Sequence, residues 1–315
     1  MSKTKYKYAK GTAFIGRLIR LALGSYSVGK FKFARVLLNL FYKGKSHARG
    51  LQYTQTYIPN GQQKLRLVTY EDKATTTDKI ALLWIHGGGY AMGIPEQDAP
   101  FAKKICRRAP IKMIMPDYTR SVEQPYPRGL EDCYVALKYV YDHADELGIA
   151  KDKIIVGGDS AGGGLTVALC LLARDRHEVK IAGQIPLYPM IDCRETESSR
   201  DNSAPVWDSR SNALAWDIYL RDVDRYDPPI YASPSRETNY EGMPPCITFV
   251  GELDPFLAET REYVGRLRDE GIPTYYEEYE GCYHGFDIVA SRSDSAKRSD
   301  EFLLNSLLDM ISKLK

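Results

Sequence analysis

The chain has 315 residues, 43% of them apolar and 27% charged, with 43 Lys and Arg against 41 Asp and Glu for a net charge of +2. This is the composition of an ordinary globular protein, and no run of about eighteen apolar residues is present to span a bilayer. Cys106, Cys133, Cys170, Cys193, Cys246 and Cys282 form no Cys-x-x-Cys pair and no zinc spacing, so they read as reduced, packed thiols of a cytoplasmic protein.

The near-neutral balance hides an asymmetry. Fourteen basic residues and no acidic residue precede Glu71, which leaves the rest of the chain acidic. Such a leader fits a solvated helix pair docked on an acidic body, and it lacks the apolar core and cleavage site of a signal peptide. A weak contact of this segment with a membrane surface is compatible with the same pattern, as is an organellar address. Residues 12–23 and 32–42 place Phe, Ile, Leu and Val at helical spacing. Two amphipathic helices are expected there, with Phe14, Leu18, Phe33, Leu37 and Leu40 covering something apolar.

From residue 64 onward the pattern alternates between strand and helix. Strands are predicted at 64–70, 80–85, 112–115, 153–156, 182–187, 246–250 and 274–279. Helices are predicted near 97–108, 130–147, 165–173, 257–270 and 295–313, with a Pro-rich loop at 116–127. Residues 193–231 break the rhythm with Ser, Arg, Asp, Trp and Pro and read as an insertion carrying one helix at about 212–220. Strands alternating with helices imply a mostly parallel sheet covered on both faces.

The informative stretch is Gly158-Asp159-Ser160-Ala161-Gly162, between the strand at 153–156 and the helix at 165–173. A serine on a sharp strand-to-helix turn needs small neighbours, and glycines on both sides let strand and helix approach closely. A phosphate loop would need Gly-Lys-Ser/Thr, but Leu165 follows Gly164. Ser160 is therefore read as a nucleophile, which requires a base and a carboxylate to orient it.

Among His47, His86, His143, His177 and His284, the last is the best base. It sits in a glycine-flanked loop after a strand, whereas His177 lies seventeen residues beyond Ser160. Asp254, at a strand end and held by Pro255, is the preferred carboxylate over Glu252 and Asp192. The three glycines after His86 expose backbone N–H groups, as does Ala161 after the nucleophile. His86 itself reads as a structural bond to the loop backbone, and Cys282 as structural too.

His-Gly-Gly-Gly-Tyr at 86–90, the segment 116–134, Gly-Asp-Ser-Ala-Gly-Gly at 158–163, Gly-Glu-Leu-Asp-Pro at 251–255 and Tyr-His-Gly-Phe at 283–286 stand in order along the chain. Together they resemble the hormone-sensitive-lipase-like carboxylesterases, the HGGG group of the α/β-hydrolases, from about residue 80 to the end. The resemblance implies an α/β-hydrolase fold with an eight-stranded, mostly parallel sheet, helices on both faces and a helical cap. The cap would comprise residues 1–50 and 193–231, and the core 51–192 and 232–315. It also implies Ser160, Asp254 and His284 as the triad, and Gly88, Gly89 and Ala161 as oxyanion donors, with no metal or cofactor. The chain departs from the usual pattern at Thr119-Arg120-Ser121-Val122 and at Phe256-Leu257-Ala258-Glu259. The expected activity is hydrolysis of acetyl to hexanoyl esters through an acyl-enzyme; an amidase or peptidase of the same fold and a non-catalytic ligand-binding member are the alternatives. The expected partner is a small-molecule ester and not a nucleic acid, with a homodimer left open. Tyr90, Tyr188, Trp207, Trp216 and Phe286 are expected to wall a short, closed acyl slot.

Overall fold

A computed structural model describes residues 6–74 and 79–314. Among them, eight strands form one sheet: β1 (Gln52–Asn60), β2 (Gln63–Glu71), β3 (Lys79–Ile85), β4 (Ile111–Pro116), β5 (Ile149–Asp159), β6 (Gly183–Leu187), β7 (Cys246–Gly251) and β8 (Thr274–Tyr279). The longer helices are α1 (Ala13–Leu23), α2 (Val28–Phe41), α3 (Ala99–Cys106) and α4 (Arg128–Asp142). The one-turn α5 (Ala144–Leu147) precedes α6 (Ala161–Arg176), α7 (Ser209–Tyr219) and α8 (Leu257–Asp269), and the one-turn α9 (Phe286–Val289) precedes α10 (Asp294–Lys313). The sheet order is β1-β2-β4-β3-β5-β6-β7-β8. β1 and β2 join antiparallel, β2 joins β4 antiparallel, and every other pairing is parallel. The mostly parallel, eight-stranded α/β architecture is as expected.

Both faces of the sheet are buried, and the strands show why. In β3, Ala81, Leu83 and Ile85 enter one core with α4 and α6, while Ile80, Leu82 and Trp84 enter the other with α3 and α10. A strand covered on both sides has no polar face to alternate with, so it reads as a continuous apolar run. α6 follows the same logic as a helix: Ala161 through Ala173 is buried all round, so no single apolar stripe exists. Because β3 pairs with β4 on one side and β5 on the other, the chain leaves in opposite directions there, and the crevice opens at the carboxyl ends of the strands.

Strand β1 was not expected from the pattern. Only Ile58 of its residues is buried, since it is the sheet edge, and Pro59 near its end suits an edge position. The overlooked signal is Asn60-Gly61: register runs Asn60 opposite Gln63, closing a tight hairpin in which Gly61 has φ 61°.

The two N-terminal helices form, but their apolar stripes point the other way. Phe14 is 73% exposed and Leu40 64%, and Leu18, Phe33 and Leu37 are exposed with them. The expectation that these five cover something apolar is not met within the described residues. The helices dock by the opposite side. Gly16 lets α1 approach Tyr283 and Pro205, where a Cβ would lie 2.8 Å from the Tyr283 ring. In α2 the fully buried Phe31 stacks on Tyr26 at 5.1 Å, and both rings pack on Trp207. The helical period says that a stripe exists; which side meets the body depends on the shape of that body. Ion pairs from Arg35 to Glu123 and from Lys43 to Asp117 tie the basic leader to acidic groups.

Candidate active site

β5 ends at Asp159 and α6 begins at Ala161, so Ser160 carries the whole reversal of direction. It adopts φ 55° and ψ −121°, a conformation that costs a non-glycine residue energy and is tolerated where the surroundings enforce it. A Cβ at Gly162 would overlap the Ile85 carbonyl, and one at Gly158 would strike both Ile85 and Gly162. These two glycines let the helix start against the strand, as the local pattern suggests.

His284 comes from the loop between β8 and α9, with Gly281 and Gly285 at φ 65° and 64°. Its Nε2 lies 2.8 Å from Ser160 Oγ, and its Nδ1 lies 2.7 Å from Asp254 Oδ2. A carboxylate only accepts, so Nδ1 carries the ring proton and Nε2 is left to accept from the serine hydroxyl. Asp254 is fixed in the turn after β7 by Phe256, whose N–H donates to its Oδ1 at 2.9 Å. The imidazole is held edge-on to Tyr188 and Phe256, at 5.1 and 5.0 Å. The structure thus brings Ser160, His284 and Asp254 into one buried chain of hydrogen bonds. Glu252 faces elsewhere and accepts from the Gly281 N–H at 2.8 Å, supporting the loop that carries His284. Asp192 pairs with Arg194 at 2.8 Å, and His177 closes the far end of α6.

The glycine loop after β3 borders the serine. Gly88 has φ 125° and Gly89 φ 59°; a Cβ would strike the Met92 carbonyl from the first and the Trp207 ring from the second. Gly87 donates its N–H to Asp159 Oδ1 at 2.9 Å. Behind this bond the buried Asp98 accepts from Trp84 Nε1 at 2.9 Å. Burial, then the neighbouring Asp159, push Asp98 well above the usual carboxylate range, and burial raises Asp159 as well. His86 stacks on Tyr118 at 4.3 Å and bonds the Gly87 carbonyl through Nδ1 at 2.9 Å. Burial holds it down at about 4, so it is neutral near pH 7 and serves the loop backbone. Cys282 is buried, and burial pushes its thiol up to about 11, which makes it a poor nucleophile.

A cavity of about 150 Å³ opens beside Ser160 and His284. Of the five aromatic residues expected to wall it, Tyr188 and Trp207 do. The other three are corrected. Tyr90 stacks on Tyr219 at 4.0 Å and donates to the Met190 carbonyl at 2.6 Å, and Trp216 packs behind it. Phe286 lies in the second core against Phe249 and Tyr279. An aromatic ring next to a motif in sequence points wherever the backbone and its packing neighbours aim it, and Tyr90 is held inward by Tyr219 and the Met190 carbonyl. Sequence reasoning missed Tyr26 from the connection between α1 and α2, Leu38 from α2, Val206 from the insertion, and Ile288 and Val289 from α9. Nothing local marks these residues, because only the fold carries them to the serine.

The family model described by an alpha/beta hydrolase fold matches residues 82–288. The carboxylic ester hydrolase LipN of Mycobacterium tuberculosis is 32% identical over 244 residues, 74% of this chain and 64% of that protein. An arylesterase of Saccharolobus solfataricus is 30% identical over 233 residues, 71% of this chain and 75% of its own. A solved bacterial heroin esterase matches with a TM-score of 0.88 at 29% identity, covering 98% of both chains. The chain belongs to the α/β-hydrolase family, among its hormone-sensitive-lipase-like carboxylic ester hydrolases.

Proposed function

We propose that this chain hydrolyses esters of short carboxylic acids, acetyl to hexanoyl, through an acyl-enzyme on Ser160. The observation that carries the reading is the chain Asp254–His284–Ser160, at 2.7 and 2.8 Å, opening onto a cavity of only about 150 Å³. His284 Nε2 takes the proton as Ser160 Oγ attacks the acyl carbon, and Asp254 stabilises the imidazolium. Negative charge on the carbonyl oxygen meets the N–H groups of Gly88, Gly89 and Ala161, the last at the positive end of α6. The imidazolium then protonates the departing alcohol, and water, deprotonated by His284, releases the acid. Losing one oxyanion donor costs about 3–4 kcal/mol in comparable sites.

The walls support the proposed size limit. An apolar cavity of about 150 Å³ takes a benzene ring, or some six carbons. Each buried methylene gains about 0.8 kcal/mol only while space remains. In this reading residues 1–50 and 193–231 act together as the cap over a core of 51–192 and 232–315. The support is their mutual clasp: Ser25 Oγ donates to Asp208 Oδ2 at 2.5 Å, and Tyr26 N–H to Ser211 Oγ at 2.9 Å.

The test is kcat/KM across acetyl, butyryl, hexanoyl, octanoyl and palmitoyl esters of one chromogenic alcohol. A maximum at or below hexanoyl, with a steep fall beyond, is expected. A maximum at octanoyl or longer refutes the closed slot. Failure to hydrolyse any of them, with turnover of the matching amides, replaces the ester reading by an amidase.

A further inference from the structure

The active site leaves the exposed stripes of α1 and α2 unexplained. On α1, Phe14, Leu18 and Leu21 follow helical spacing and all face solvent. On α2, Phe33, Val36, Leu37 and Leu40 do the same. Apolar residues scattered singly on a surface are normal, whereas contiguous patches above a few hundred Å² mark contact sites. Exposed cations border both stripes: Arg17 and Arg20 on α1 and Lys32 on α2. No acidic residue occurs anywhere before Glu71. The stripe also adjoins the catalytic cavity. Leu38, the neighbour of exposed Leu37, lines that cavity, and so does Ile288, itself 40% exposed.

We propose that α1 and α2 dock on an anionic lipid surface, with the apolar stripes entering the boundary between headgroups and acyl chains and the bordering cations resting among the headgroups. Amphipathic helices of this composition lie in the plane of an interface, and no described helix is long and apolar enough to cross one. Charge complementarity selects lipid over a second copy of the chain. Two identical faces joined about a two-fold axis would oppose cation to cation, and a face joined to another copy's acidic body would make a head-to-tail ring or filament that leaves the apolar stripes against a charged surface. Resting on the esterase reading above, docking sets the mouth of the acyl slot beside the layer in which amphiphilic esters collect.

The experiment is vesicle sedimentation of the full chain at 50 mM and 500 mM salt, with pure phosphatidylcholine and with phosphatidylcholine containing phosphatidylglycerol. The wild type should partition to the anionic vesicles, at least tenfold better than to the neutral ones at low salt. Phe33→Ser/Leu40→Ser, both on the outer face, should lower the partition at least tenfold. Arg17→Glu/Lys32→Glu should erase the anionic preference, since each removed cation is worth roughly fivefold. Both variants should hydrolyse a water-soluble butyryl ester at the wild-type rate, which shows that they fold. No sedimentation of the wild type with anionic vesicles overturns the proposal. So does a dimer in solution that Phe33→Ser/Leu40→Ser dissociates while vesicle binding is absent. The two readings fail separately: vesicle binding without any ester turnover defeats only the esterase reading, and turnover without binding defeats only the docking.

Discussion

At Ser160 the backbone conformation and the side-chain role meet in one residue, and the tests of the mechanism are correspondingly local. Ser160→Ala removes the attacking oxygen and little else, so ester hydrolysis and phosphonate labelling should both vanish while the thermal midpoint stays near wild type. Asp254→Asn keeps the shape but favours the wrong imidazole tautomer, and turnover should fall by up to about 10⁴. Glu252→Gln, at a carboxylate that accepts from the Gly281 N–H rather than from His284, should cost far less. A reversed ranking of these two, measured as kcat, would move the acid to Glu252. Asp287 offers a test by pH. It accepts from Tyr188 OH at 3.2 Å, and burial pushes it up to about 7; Asp159 and Asp300 reinforce the shift and Lys104 opposes it. Unfolded aspartate titrates at about 3.9, so between that value and about 7 the native state holds more protons than the unfolded one. Stability therefore falls as pH rises through that window and levels off above it. Asp287→Asn abolishes the titration: its gain in Tm over wild type should grow from pH 4 to pH 7 and then remain flat.

Within single elements, α2 shows how one helix serves three surroundings. Phe31 is its buried anchor, Leu38 reaches the cavity wall, and Leu40 faces water. Leu38→Ala should widen the slot and move the preferred acyl chain longer by about two carbons. Leu40→Ala, two residues away, should leave the chain-length profile unchanged. The same kcat/KM series reads both, and an identical shift in the two would disprove the assignment of faces. Element α6 is the opposite case, buried on every side, so its identity shows as an unbroken apolar run without a stripe.

For the molecule as a whole, the question is what holds a basic leader on an acidic body. The pairs Arg35–Glu123 and Lys43–Asp117 are partly exposed on at least one side. Such pairs contribute about 0–1 kcal/mol, and 1 M salt screens charges beyond roughly 3 Å. Burying Phe31 between Tyr26 and Trp207 is worth more, since Phe→Ala in a packed site costs about 3–5 kcal/mol. Hydrogen exchange should therefore show α2 nearly unaffected by 1 M NaCl, while Phe31→Ala lowers the protection of its amides by at least about tenfold. Loss of protection in salt alone would mean that the leader is held electrostatically.

The sheet, its helices and the three residues of the hydrogen-bonded chain were legible in the sequence because their signals are local. A parallel strand buried on both faces must be continuously apolar, and a serine elbow must have small residues beside it. A carboxylate and a histidine in turns after strands β7 and β8 can be ranked by what fixes each turn. The edge strand β1 was nearly silent, since water rather than protein covers most of its side chains. The tertiary structure alone decided which aromatics reach the slot. Tyr188 and Trp207 do, while Tyr90, Trp216 and Phe286 turn into the cores, because a ring's direction depends on backbone and neighbours far away in sequence. It also decided the outward turn of the stripes on α1 and α2. Periodicity specifies that a helix has an apolar face; only the packing of Gly16 against Tyr283 and of Phe31 against Trp207 selects which face meets the body.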